Sequence, residues 1–226
     1  MIQFNEIAEK KDLTELLSSP AIKAIIPERL SPQDARGFWD NLFTENAQSE
    51  AQEINEDDLW GEIFGRTEEE FQFDFEIDKG LKSILAKLDS PEWNDLADNE
   101  KVSIVEQFVA TLADRLDIKD VPKVVFFDGA PTALGAFSLE DNCVKINSAL
   151  LQHPQLLKEV IPHEMRHAYQ HQRAAIQETW MDILYLINFD NYISPVWLSD
   201  NTCLYFTDYQ GQLVEAEARA FANLFA

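Results

Sequence analysis

His163-Glu164-Met165-Arg166-His167 lies in a helical run that opens near Ser148. Residues four apart on a continuous helix share one face, so both imidazoles can reach a single metal ion with Glu164 beside it. The chain has four histidines, and His163, His167 and His171 fall within nine residues. This H-E-x-x-H spacing points to zinc-dependent hydrolytic chemistry. Pro162 marks either a helix start or a kink inside a longer helix, and both readings preserve the motif.

Zinc with an open coordination position needs three protein ligands, and the motif supplies two. His171 is the nearest further histidine, but it lies about 12 Å along the helix axis from His163. Two ligands of one zinc must lie within about 4 Å of each other, so His171 is assigned to the surface or to a substrate cleft. The terminal run Leu213-Val214-Glu215-Ala216-Glu217-Ala218-Arg219-Ala220-Phe221-Ala222 offers carboxylates instead. Glu215 and Glu217 point roughly 200° apart on a helix. Glu215 borders Ala218 and Ala222, small residues that permit close approach between helices. Glu215 is therefore the preferred third ligand, with Glu217 as the alternative. Glu215 could also serve as an ion-pair partner for Arg219.

The whole chain limits what surrounds this site. Its 226 residues are 46% hydrophobic and include 15 Phe and 5 Trp, enough for a substantial core. A formal charge of -23 argues against nucleic-acid binding and against anionic membrane surfaces. Cys143 and Cys203 make neither a paired metal motif nor a disulfide framework. The N-terminus has no basic stretch followed by an apolar run, and no segment reads as a membrane span. A cytoplasmic location is expected.

Acid is concentrated early: residues 1–100 carry 25 Asp+Glu against 9 Lys+Arg. Residues 1–78 are read as an acidic, mainly helical N-terminal region, with a helix start at Ser31-Pro32-Gln33-Asp34. Within it, Phe71, Phe73, Phe75 and Ile77 alternate with Gln72, Asp74 and Glu76, which predicts a half-buried strand. This acidic region is a candidate docking site for a partner protein or a restraint on access to the site. From residue 79 to 226 the pattern is that of a second domain. Helices are expected over Leu81–Leu88 and Asn99–Leu116, and a buried strand over Val121–Phe127. Ala136–Leu139 and Cys143–Asn147 form a hairpin around Glu140-Asp141-Asn142, and a last helix runs from about Gln210 to Leu224.

Residues 100–226 resemble the gluzincin metallopeptidases, especially the compact zincins that cleave phage repressors or act in radiation response. The resemblance rests on the order of helix, strand and hairpin, on His163-Glu164-Met165-Arg166-His167, and on Glu215-Ala216-Glu217-Ala218. In those families a downstream Glu-x-x-Ala supplies the third ligand, which corresponds to Glu215. Many relatives have Asp or Asn after that alanine, where this chain has Arg219. The resemblance implies an α+β, zincin-like fold, with a small sheet packed on the motif helix and a C-terminal helix. It also makes Cys143–Asn147 the strand that pairs with extended substrate.

The expected function is a zinc metallopeptidase acting on protein or peptide substrates, with zinc held by His163, His167 and Glu215. Glu164 would take the proton of the attacking water and return it to the leaving amine. Tyr169, Tyr205, Tyr209 and His171 are candidates for a second donor to the oxyanion, and Trp180, Tyr185, Tyr192, Trp197, Tyr205 and Phe206 could wall a cleft. The rival reading is a noncatalytic acidic adaptor on a zincin fold with a structural metal. An acidic nucleic-acid mimic is a third, but it leaves the histidines unexplained.

Overall fold

The computed structural model describes residues 56–130, 132–197 and 203–226. They form an α+β arrangement of seven α-helices and two small sheets. The helix start at Ser31 and the helical character expected before residue 56 lie outside the described residues. Spatially the chain divides into two units. One contains Thr67–Gln172 with Ala216–Ala226; the other contains Arg173–Glu215 with the described residues up to Arg66. The acidic segment 67–78, which composition groups with the N-terminal region, thus clusters with the unit that holds the motif.

That unit is built on helices α2 (Lys79–Leu88) and α3 (Asp98–Arg115), the sheet β1 (Lys123–Phe127), β2 (Gly135–Ser138) and β3 (Cys143–Asn147), and most of the long helix α4 (Pro154–Ile176). Asp78 caps α2 by accepting from the Leu81 N–H at 3.0 Å, and Leu81, Ile84 and Leu88 form its buried face. The Glu100 carboxylate accepts from the Ala97 N–H at the head of α3, and Val105, Phe108, Val109, Leu112 and Ala113 are buried behind it. The expected hydrophobic stripe is present, with one addition. Lys101 is also buried, its ammonium 5.9 Å from the centre of the Trp93 ring and donating to Gln152 Oε1.

Ser148–Gln152 forms a separate 3-10 turn before α4 begins, and Pro162 lies inside α4. The second reading of Pro162, a proline within a longer helix, is the one observed. In the sheet β3 lies between the other two, parallel to β1 and antiparallel to β2. This corrects the assignment of Cys143–Asn147 as an open edge. Both its sides are already hydrogen-bonded, and the strand exposed beside the motif helix is β2. Sequence order suggests the hairpin, but the parallel crossover to β1 that fills the second side of β3 is a long-range event. Val124, Val144 and Phe137 align across the sheet, as do Phe126, Ile146 and Gly135. Val144 and Ile146 are fully buried, so these rows face the core.

Gly135 has a specific reason to be glycine. A Cβ there would sit 2.6 Å from Val160 Cγ1, 3.2 Å from the Lys145 carbonyl oxygen and 3.3 Å from Glu164 Oε1. The missing side chain lets α4 approach the edge strand at the level of the motif.

The strand expected at Phe71–Ile77 is a second correction. This segment is extended and its side chains alternate between half-buried and exposed, but it joins no sheet among the described residues. Phe73 and Phe75 meet the Phe221 ring edge-on at 5.4 and 4.9 Å between centroids, and Phe75 also reaches Phe225. Aromatic contacts hold this strap in an extended shape without a β-ladder.

The other unit contains α1 (Glu56–Ile63), α5 (Trp180–Asp190), a short antiparallel ladder of β4 (Val196–Trp197) with β5 (Cys203–Leu204), and α6 (Phe206–Gln210). Thr179 caps α5 by accepting from the Asp182 N–H, while Asp182 accepts two hydrogen bonds from Arg173. The terminal helix α7 (Leu213–Ala222) is shorter than expected, because α6 ends at Gln210 and the chain turns at Gly211. Its first turn is tied down by two buried amides. Asn188 Oδ1 accepts from the Val214 N–H, and Asn188 Nδ2 donates to Gln212 Oε1.

Candidate metal centre

Among the described residues, His163, His167 and Glu215 each offer a ligand atom, all within 4.8 Å of one another. The two histidines lie one turn apart on α4 with their Nε2 atoms 3.1 Å apart. Ligands about 2 Å from one tetrahedral ion lie about 3.3 Å apart, so this pair fits a shared metal. Glu215 is the last residue assigned to its unit, but α7 continues unbroken into the residues that follow it. Helix geometry therefore fixes which way its side chain leaves the backbone.

The hydrogen-bond network sets the protonation of His167. Glu217, as a carboxylate, only accepts. Gln170 Nε2 donates to Glu217 Oε2 at 2.7 Å, which turns Gln170 Oε1 toward His167 Nδ1 at 2.9 Å. Nδ1 must then carry the proton, leaving the Nε2 lone pair directed at the site. Arg166 donates to the other Glu217 oxygen at 2.6 Å, and its guanidinium lies over the rings of Phe73, Tyr169 and Phe221.

This network separates the two terminal carboxylates. Glu217 is committed to Arg166 and Gln170, whereas Glu215 joins the histidine pair. Arg219 donates to Glu68 Oε1 at 2.7 Å. Burial acts to raise the Glu68 pKa, but hydrogen bonds from Arg219 and Asn223 and the nearby positive charge outweigh it, and the net shift is downward.

Glu164 is buried, 7% exposed, with Oε1 beside Gly135 on the edge strand. It lies next to the histidine pair and outside the ligand group. His171 packs on Phe137 of the same strand with 5.6 Å between ring centroids. Burial is the main cause that pushes its pKa down to about 4, with the neighbouring His167 ring a smaller one.

Of the other expected donors, Tyr169 stacks on Arg166, and Tyr205 is 59% exposed in a left-handed conformation. Tyr209 meets Tyr192 edge-on at 6.2 Å.

Two residues were missed in their actual roles. Tyr192, read only as a cleft-wall aromatic, donates its hydroxyl to Glu215 Oε1 at 2.6 Å. Burial, followed by the negative charge of Glu215, raises its pKa strongly. Gln170 had one legible signal, its position three residues after His167 on the same helix face. Tyr192 had none, because a loop brings it to Glu215. No helix among the described residues is long and apolar enough to cross a membrane. No family model, curated protein or solved structure matches the chain.

Proposed function

We propose that this protein is a zinc-dependent metallopeptidase of the gluzincin type. The observation that carries the proposal is the grouping of His163, His167 and Glu215, whose ligand atoms lie within 4.8 Å of one another, with Glu164 alongside. Two neutral imidazoles and one carboxylate are the donor set of an open catalytic zinc site, one that leaves a position for water. The zinc would supply a water of lowered pKa and polarise the scissile carbonyl.

The chain's own residues would do the rest. Glu164 accepts the proton from the attacking water at its carboxylate and delivers it to the departing amine nitrogen. Gln170 holds the Nδ1 proton of His167 and so keeps Nε2 available for the metal. The outer side of β2, which pairs with no other strand among the described residues and lies adjacent to Glu164, is the place for an extended peptide to pair with the sheet through its backbone. Backbone pairing would position the scissile bond without demanding a particular side-chain sequence.

Protein purified without chelator should contain one zinc per chain and cleave an unfolded-protein or peptide mixture followed by mass spectrometry. Glu164→Gln should keep the zinc and lose at least about 100-fold in cleavage rate, the lower range for removing a general base. A wild-type protein that cannot bind zinc under metal-replete conditions would refute the proposal. Zinc binding with no cleavage of any peptide would favour the adaptor reading.

A further inference from the structure

Glu215 is held from two directions by its own unit. Its carboxylate accepts the Tyr192 hydroxyl at 2.6 Å, a short charge-assisted bond. Tyr192 exposes 39% of its surface, and its ring meets Tyr209 edge-on at 6.2 Å. The loop carrying it is clamped by a buried amide. Gln212 Oε1 accepts from the Ile193 N–H at 2.8 Å, and Gln212 Nε2 donates to the Ile193 carbonyl at 2.8 Å. Gln212 also accepts from Asn188, which caps the Val214 N–H one residue before Glu215. The tyrosine and the carboxylate it contacts are thus fixed to the same pair of fully buried amides.

The terminal torsion of a glutamate is broad and nearly two-fold, so an unrestrained carboxylate can present either oxygen, or both, to a metal. We infer that Tyr192 is a positioning residue for the third ligand: its hydroxyl takes one oxygen of Glu215 and leaves the other for a single bond to the metal. This inference rests on the zinc-site reading. Tyr192 acts on the metal through Glu215 and does not contact the reacting atoms.

The test compares the intact wild type with Tyr192→Phe and Tyr209→Phe. Zinc affinity is measured by competition with a chromophoric chelator, and ligand geometry is read from the visible absorption of the cobalt(II)-substituted protein. Tyr192→Phe should weaken zinc binding about 10- to 100-fold, the range seen when a hydrogen-bond partner of a ligand is removed. It should also shift the cobalt bands, with the metal-free melting temperature close to wild type. Tyr209→Phe retains the Tyr192–Glu215 bond and should change affinity far less. Wild-type zinc affinity within twofold and unchanged cobalt bands in Tyr192→Phe would overturn the positioning role while leaving the zinc site intact. Failure of the wild type itself to bind zinc would overturn the site reading together with this inference.

Discussion

Replacing Glu217 with Gln tests the network behind His167 most directly. The side chain is 4% exposed and lies 2.6 Å from Arg166, which is itself 8% exposed. The substitution keeps the shape but removes the charge, so the guanidinium stays buried beside a neutral amide. Breaking one partner of a buried ion pair costs about 3–5 kcal/mol. For a chain of this size, each kcal/mol corresponds to roughly 2–4 °C in Tm, so the metal-free midpoint should fall by roughly 6–20 °C. Zinc binding should suffer separately. Both Glu217 oxygens accept, but a glutamine offers one acceptor and one NH2 group. Its NH2 would face either Arg166 or the Gln170 amide, donor against donor. Turning Gln170 around would then present NH2 groups to His167 Nδ1, moving the ring proton to Nε2, where it blocks the metal. Zinc affinity should drop about 10- to 100-fold. Circular-dichroism melting and chelator competition measure the two effects. Arg166→Met in the Glu217→Gln background should restore much of the stability and, by leaving the glutamine oxygen free to accept from Gln170, part of the affinity as well. A midpoint within 2 °C and zinc affinity within twofold of wild type would refute the account of this network.

Three further outcomes follow. Gly135→Ala would force its methyl against the stiff side chain of Val160 and toward Glu164, so stability should fall by about 1–3 kcal/mol. Chemical denaturation checks the loss, and adding Val160→Ala should recover part of it; an additive double variant would contradict the steric explanation. For His171, the folded pKa of about 4 lies below its ordinary 6.5, so the unfolded chain binds the proton first. Its contribution is fully present above about pH 6.5, is lost as pH falls toward 4, and changes no further below that. Metal-free His171→Gln should therefore show a flatter stability profile than wild type across that window; parallel profiles would oppose the assigned shift. Phe75→Ala removes ring contacts with Phe221 and Phe225 and should destabilise by about 2–4 kcal/mol, as judged by thermal melting. A change under 0.5 kcal/mol would mean that the strap is not anchored there.

What the sequence made legible follows from what local patterns record. The i, i+4 histidines and the small residues around Glu215 are one-helix properties, readable from spacing alone. Glu217 could not be separated from Glu215 with certainty, because what distinguishes them is Arg166 and Gln170, on another helix. Alternation at Phe71–Ile77 correctly marked which side chains turn inward. It could not say where the backbone hydrogen bonds go, since period-two burial is common to strands and to unpaired extended segments. The central place of β3 required knowledge of its parallel pairing with β1. Tyr192 required the loop after α5, whose path is fixed by buried amides and not by any periodic signal.

Arg166 gives the strap a role at a distance. Its guanidinium lies 5.0 Å from the centre of the Phe73 ring, while its ion pair with Glu217 leads through Gln170 to His167. An extended peptide segment and a candidate metal ligand therefore bias the same cation. By thermodynamic reciprocity, whatever pulls the strap from its aromatic seat should loosen the metal, and metal binding should tighten the strap by the same free energy. Residues 71–77 would then act as a tethered effector, and their amide exchange rates would report on metal occupancy.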